Sequence, residues 1–128
     1  MKKVLFVCVE NSCRSQMAEA FAKISGQDSV DAYSSGSNPS GVVNPKAITS
    51  MQELGYDLST HVSKALDKIP DIEYDLLVTM GCGDVCPSVK ARQRVDWQIP
   101  DPKHMDKEAF AGIRDLIAEQ VSKLVESP

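Results

Sequence analysis

The chain has 128 residues, 42% of them hydrophobic and 25% charged, with a net charge of −4. Those values fit one soluble globular domain, and the acidic balance excludes a general nucleic-acid or membrane-surface binder, which would need a basic face. No segment reaches the ~20 apolar residues of a membrane span.

Met1-Lys2-Lys3 followed by Val4 to Val9 has the outline of a signal peptide, but the apolar run stops at Glu10 and no small-residue cleavage site follows. A buried first strand accounts for it better, and a cytoplasmic location is expected. Stable structural disulfides are rare there. The four cysteines therefore point to catalysis, redox chemistry or metal, with inert packing as the alternative.

Val4-Leu5-Phe6-Val7 is a continuous β-rich apolar run, as in a strand covered on both faces. Ser15 to Ile24 reads as a helix with Met17, Phe21 and Ile24 at helical spacing and Gly26 as its stop. Val30 to Ser34 is a short strand leading into a Ser-, Gly-, Asn- and Pro-rich loop. Asn44-Pro45 opens a second helix, with Ala47, Ile48, Met51 and Leu54 on one face and Gly55 at its end.

Ser63 to Lys68 could make a short helix before Pro70. Tyr74 to Thr79 is a third strand, Gly81 to Cys86 a turn or short helix, and Val95-Asp96-Trp97 a fourth strand. Lys107 to about Glu126 is a helix with Phe110, Ile113, Ile117, Val121 and Leu124 on one stripe. This alternation implies a single α/β domain: a four-stranded parallel sheet with helices on both faces. Ligands of such sheets lie beyond the strands' carboxyl ends, where Cys8, Cys82 and Asp101 fall.

Cys8-Val9-Glu10-Asn11-Ser12-Cys13-Arg14-Ser15 is the most informative stretch. A cysteine ends a strand and, after five intervening residues, an arginine starts a helix. The loop between them can curl its N–H groups around a tetrahedral oxyanion, and the helix dipole adds positive potential at the same point. Arg14 can grip two oxygens in a planar fork. Cys8, at the bottom of that cradle, is suited to nucleophilic attack. Ser15 can donate to the Cys8 sulfur and cap the helix, and Asn11 can hold the curl open. Val9, Glu10, Asn11, Ser12, Cys13 and Ser15 form and support the loop. Cys13 reads as packing, since cysteine is among the most buried residue types.

Cys82 and Cys86 are separated by three residues. One helical turn would put both thiols on one face, with Cα atoms ~6 Å apart and within reach of a disulfide. Gly81 and Gly83 give the backbone of Cys82 freedom to move. The alternatives are two core cysteines, or zinc held together with Cys8 and Cys13. Zinc sites favour pairs two residues apart, however, and would unravel the loop, so no metal is expected. Asp101-Pro102 places a carboxylate where it could protonate an oxygen leaving the oxyanion, and Trp97 reads as packing.

Taken together, Asn11 to Glu19, Val43 to Ile48, Trp97 to Pro102 and the close-set cysteines in Gly81 to Pro87 make the chain resemble the thioredoxin-coupled arsenate reductases, which share the low-molecular-weight tyrosine phosphatase fold. The resemblance implies a relay. Cys8 attacks arsenate, Arg14 and the loop hold its oxygens, and Asp101 protonates the departing hydroxyl. Cys82 then attacks Cys8 and arsenite leaves, after which Cys86 attacks Cys82, giving a disulfide for thioredoxin to reduce. No bound cofactor is implied, and a monomer is the default expectation.

The chain departs from the family pattern in two places. Val9-Glu10 stands where many members have Thr-Gly, and Lys64 follows His61-Val62-Ser63 where potassium-binding members have Asp. A phosphatase would use Cys8, Arg14 and Asp101 but not the thiol pair, and would usually carry Tyr where Lys103 stands. A thiol switch would use the pair and leave Arg14 and Asp101 without a role.

Overall fold

The computed structural model describes residues 2–26, 29–80 and 89–126. Among them are strands β1 (Lys2–Cys8), β2 (Val30–Gly36), β3 (Tyr74–Thr79) and β4 (Ala91–Asp96), and helices α1 (Arg14–Ser25), α2 (Pro45–Gln52) and α3 (Lys107–Glu126). All strand pairs are parallel, in the order β2-β1-β3-β4. The chain moves from β1 to β2 on one side, then crosses to β3 on the other. The carboxyl end of β1 is therefore the topological switch point, where such sheets open a crevice. Cys8 is the residue at that end.

Each face of the sheet has its own core. Val4, Phe6 and Val78 pack with Met17 and Phe21 of α1, Met51 of α2, and Phe110, Ile117 and Val121 of α3. Trp97 joins them as packing, its ring 5.9 Å from Phe6. On the opposite face Leu5, Val7, Tyr74 and Leu77 are covered by Leu66, Ile69 and Ile72. That cover contains a 3-10 turn over Leu66–Lys68, rather than a helix from Ser63. The reason is local: the Lys64 carbonyl accepts from Gly36 N at 2.9 Å, and Ala65 bridges Gly36, so this stretch runs extended along β2.

Other expectations need correction. β4 begins at Ala91, not Val95, and ends before Trp97; as an edge strand it exposes Arg92, Gln93 and Arg94, so no apolar pattern marks it. Leu54 and Ile24 are exposed rather than on buried stripes. Leu54 lies beyond the end of α2, where Gly55 adopts φ +81° and turns the chain. A 3-10 turn over Leu58–Thr60 was not foreseen; Asp57 caps it by accepting from Ser59 N at 3.0 Å. Gly81 to Cys86 lie outside the described residues.

Arg114 is buried on the α3 stripe, although the sequence reading passed over it. Its Nη1 donates to the carbonyl of Ser50 at 2.9 Å, tying α3 to the end of α2. Arg114→Met keeps the apolar stem but leaves that carbonyl without this partner. Urea denaturation should show a loss of ~1–2 kcal/mol, as for a buried hydrogen bond removed from one side.

Candidate active site

Residues 9–13 make the turn between β1 and α1. Their carbonyls are tied from outside: Val9 O accepts from Asn38 N at 2.8 Å, Glu10 O from Ser40 N at 3.0 Å, and Ser12 O from Asn44 N at 3.0 Å. The Ser63 hydroxyl adds a second donor to Glu10 O at 3.0 Å. Because a trans peptide points its N–H away from its carbonyl, outward carbonyls turn donors toward the inside of the loop. The amino end of α1 meets them there with its partial positive charge. Its N-cap is Cys13, which makes no side-chain cap bond.

Asn11 is the pivot of this turn. It is fully buried and holds φ at 51°, a left-handed conformation that asparagine tolerates better than most residues. Its Oδ1 accepts from Gln16 Nε2 and from Lys64 N, both at 2.8 Å, and its Nδ2 donates to Ser15 Oγ at 2.7 Å. Ser15 Oγ in turn lies 2.9 Å from Cys8 Sγ. Ser15 Oγ can accept from Asn11 and still donate to the sulfur. The expected capping role of Ser15 is replaced by this contact.

Gly36 explains how the turn can sit so close to β2. It pairs in register with Cys8, and a Cβ on it would lie 2.6 Å from Val9 O and 2.9 Å from Asn11 N. No side chain fits there.

Arg14 is buried and reaches across to the loop that follows β4. Its Nη1 donates to Ile99 O at 3.0 Å, and its Nη2 stands 3.9 Å from Asp101 Oδ2. The guanidinium and the carboxylate therefore face each other at the mouth of the loop. Asp101 accepts from Lys103 N at 3.1 Å, and Lys103 Nζ pairs with Glu10 Oε2 at 2.7 Å.

The two thiols of the loop differ sharply. Both are buried in the first core; Cys8 faces Ser15, whereas burial pushes the Cys13 thiol up to about 11. Ser12 Oγ is its hydrogen-bond donor, at 3.8 Å. Val9 turns into the second core beside Leu5 and Val7. Cys82 and Cys86 lie outside the described residues, but the chain leading to them is placed: Met80 N donates to Val7 O at 2.9 Å, one residue before Cys8.

Behind the loop lies a polar network that the sequence reading had largely missed. Gln16 Nε2 donates to the Asn11 carbonyl at 3.1 Å and to Val62 O at 3.0 Å, which fixes its amide and turns Oε1 toward His61 Nδ1 at 2.9 Å. That oxygen can only accept, so Nδ1 carries the proton and Nε2 accepts from Tyr56 OH at 2.6 Å. Burial lowers the pKa of His61 below its ordinary value, which keeps the ring neutral.

Glu19, also buried, accepts from Ser34 Oγ at 2.5 Å and Lys23 Nζ at 2.6 Å and lies 3.9 Å from Lys64 Nζ. With two ammonium groups at this carboxylate, the donor set does not suit a potassium ion. Among the described residues no cluster of His, Cys, Asp and Glu could hold a metal, and no helix is long and apolar enough to cross a membrane.

This geometry defines a class: a buried thiol at the end of the first strand, followed by a loop and a helix start, at the switch point of a parallel sheet. The chain belongs to the low-molecular-weight phosphotyrosine protein phosphatase family, whose model matches residues 3–127. It is 40% identical over 128 residues to the glutaredoxin arsenate reductase of Synechocystis, covering 98% of this chain and 97% of that one. A solved structure described as an arsenate reductase in the phosphate binding state superposes with a TM-score of 0.88 at 40% identity, covering 98% and 97% of the two chains. The thioredoxin-dependent arsenate reductase of Corynebacterium glutamicum is 31% identical with a TM-score of 0.79, covering 97% of this chain and 60% of that one.

Two outcomes follow from the loop. Gly36→Ala forces Val9 and Asn11 aside and should cost ~1–3 kcal/mol in urea denaturation. In a Cys82→Ser/Cys86→Ser background, Cys13 should resist iodoacetamide through pH 9, its labelling rising only as pH approaches the value of about 11 that burial imposes; peptide mass mapping reads it.

Proposed function

We propose that this chain is an arsenate reductase in which Cys8 is the nucleophile and Cys82 and Cys86 complete a disulfide relay renewed by thioredoxin. The observation that carries the reading is the placement of Cys8: its sulfur lies 2.9 Å from Ser15 Oγ inside the loop that Arg14 closes, at the edge where β3 ends. The arsenate reductases that match nearly the whole chain support the same activity.

The chemistry balances. The Cys8 sulfur forms a bond to arsenic(V), an oxygen leaves as water once Asp101 supplies a proton, and Arg14 with the loop N–H groups carries the charge of the remaining oxygens. The Cys82 thiolate next attacks the Cys8 sulfur. A Cys8–Cys82 disulfide forms, and the sulfur–arsenic pair stays on arsenic, which departs as arsenite. Attack by Cys86 on Cys82 frees Cys8 and leaves a Cys82–Cys86 disulfide. One external dithiol then returns the two electrons.

The reach asked of Cys82 is short. Met80 is hydrogen-bonded beside Val7, and two residues of extended chain span at most ~7 Å. Thioredoxin suits a closed protein disulfide because it is itself a dithiol. The Synechocystis relative carries glutaredoxin in its name, so the two systems are to be compared directly. A cytoplasmic monomer serving arsenic detoxification completes the reading.

Arsenate should drive NADPH oxidation in the presence of thioredoxin and thioredoxin reductase, faster than with glutaredoxin and glutathione. Serine at Cys8, Cys82 or Cys86 should abolish turnover, Cys13→Ser should keep much of it, and Asp101→Asn should lower kcat by ~10²–10³-fold, within the range of general acid catalysis. Normal turnover by Cys82→Ser would refute the relay. Brisk aryl phosphate hydrolysis without arsenate-linked turnover would mark a phosphatase instead.

A further inference from the structure

We infer that Glu10 and Lys103 form a positioning latch that holds the Asp101 carboxylate over the oxyanion loop; this rests on Asp101 being the proton donor. Glu10 lies in the loop between Cys8 and Arg14, and its backbone carbonyl is fixed by Ser40 N and Ser63 Oγ, each at 3.0 Å. Its side chain leaves that fixed base and meets Lys103 Nζ at 2.7 Å. The same Lys103 donates its backbone N–H to Asp101 Oδ1 at 3.1 Å, closing an Asx turn through Pro102.

One residue therefore links the floor of the site to its acid. The ammonium of Lys103 is tethered to the loop, and its amide sets the rotamer of Asp101. With Oδ1 occupied in this way, Oδ2 is the oxygen turned toward Arg14 Nη2, 3.9 Å away. The oxygen that faces the guanidinium is also the one facing an oxyanion held by it. Glu10 holds the Lys103 ammonium above its ordinary pKa, first through the direct hydrogen bond, so the tether persists throughout the neutral range.

The rest of this segment is anchored elsewhere. Ile99 O is held by Arg14, and the carbonyls of Lys103 and Met105 are held by Lys46 Nζ at 3.2 Å and 3.0 Å. Loss of the ion pair should leave the segment folded and shift only the aim of Asp101. A displacement of about an ångström at a reacting group can cost up to ~10²-fold in rate.

The test is steady-state arsenate reduction by the full chain with its thiol reductant, for Glu10→Gln, Lys103→Met, the double variant, Lys103→Arg and Asp101→Asn. Each single substitution in the pair should lower kcat about tenfold, with KM for arsenate changing less than twofold and the melting temperature unmoved. The double variant should be no worse than either single one, and Lys103→Arg should retain at least half of the wild-type rate. Additive losses would overturn the latch, as would an effect confined to KM. Wild-type kcat in Glu10→Gln beside a crippled Asp101→Asn would overturn it too. An unimpaired Asp101→Asn would instead remove the proton-donor reading on which the latch rests.

Discussion

The site depends on one strained residue whose side chain is fully employed. Asn11 holds a left-handed backbone, and its amide reaches Ser15 in front, Gln16 beside it and Lys64 behind. A left-handed, non-glycine residue is kept only where its surroundings over-determine it, and three side-chain hydrogen bonds do so here. The Cys8–Ser15 pair is tied to it, because Asn11 Nδ2 donates to the same serine oxygen that lies 2.9 Å from the sulfur. Without that donation Ser15 could satisfy itself on the helix backbone, as first-turn serines ordinarily do. The network behind the loop thus reaches the hydrogen bond at Cys8.

Electrostatics divides along the same line. The chain as a whole is acidic, with a net charge of −4, which does not attract an oxyanion from a distance. For the proposed function, attraction has to come locally, from the loop amides, the start of α1 and the buried Arg14, where low dielectric makes each dipole count for more. The acidic residue nearest this pocket in sequence, Glu10, is offset by Lys103. On the opposite side of the loop, Glu19 is surrounded by Lys23, Lys64 and Ser34.

Much of this was legible in the sequence, for identifiable reasons. β1, β3 and α3 carry apolar runs or stripes whose period states their type, and the five-residue spacing of Cys8 and Arg14 across a strand–helix junction marks the loop. β4 did not announce itself before Val95, since an edge strand with Arg92 and Arg94 on it has no apolar alternation to read. Leu54 and Ile24 continued a periodic pattern past the point where their helices could bury it. The network around Asn11 was illegible for another reason: Lys64, which donates to Asn11, and His61, which meets Gln16, come from a segment tens of residues away outside any helix or strand. Gly36 stood among other small residues in a loop-like stretch, and only coordinates reveal that a Cβ would strike Val9 and Asn11.

The two cysteines at the ends of the loop differ in their partners and not in their exposure. Cys8 and Cys13 are five positions apart and equally hidden from solvent, each 3% exposed. Exposure therefore does not distinguish them; the groups each sulfur faces do. Cys8 ends β1 with the Ser15 hydroxyl 2.9 Å from its sulfur. Cys13 occupies the N-cap position of α1, accepts from Ser12 Oγ, and has its thiolate disfavoured chiefly by burial. The two sulfurs are therefore told apart by their partners: Cys8 meets a hydroxyl that Asn11 also holds, and Cys13 meets Ser12 in a buried setting that raises its pKa.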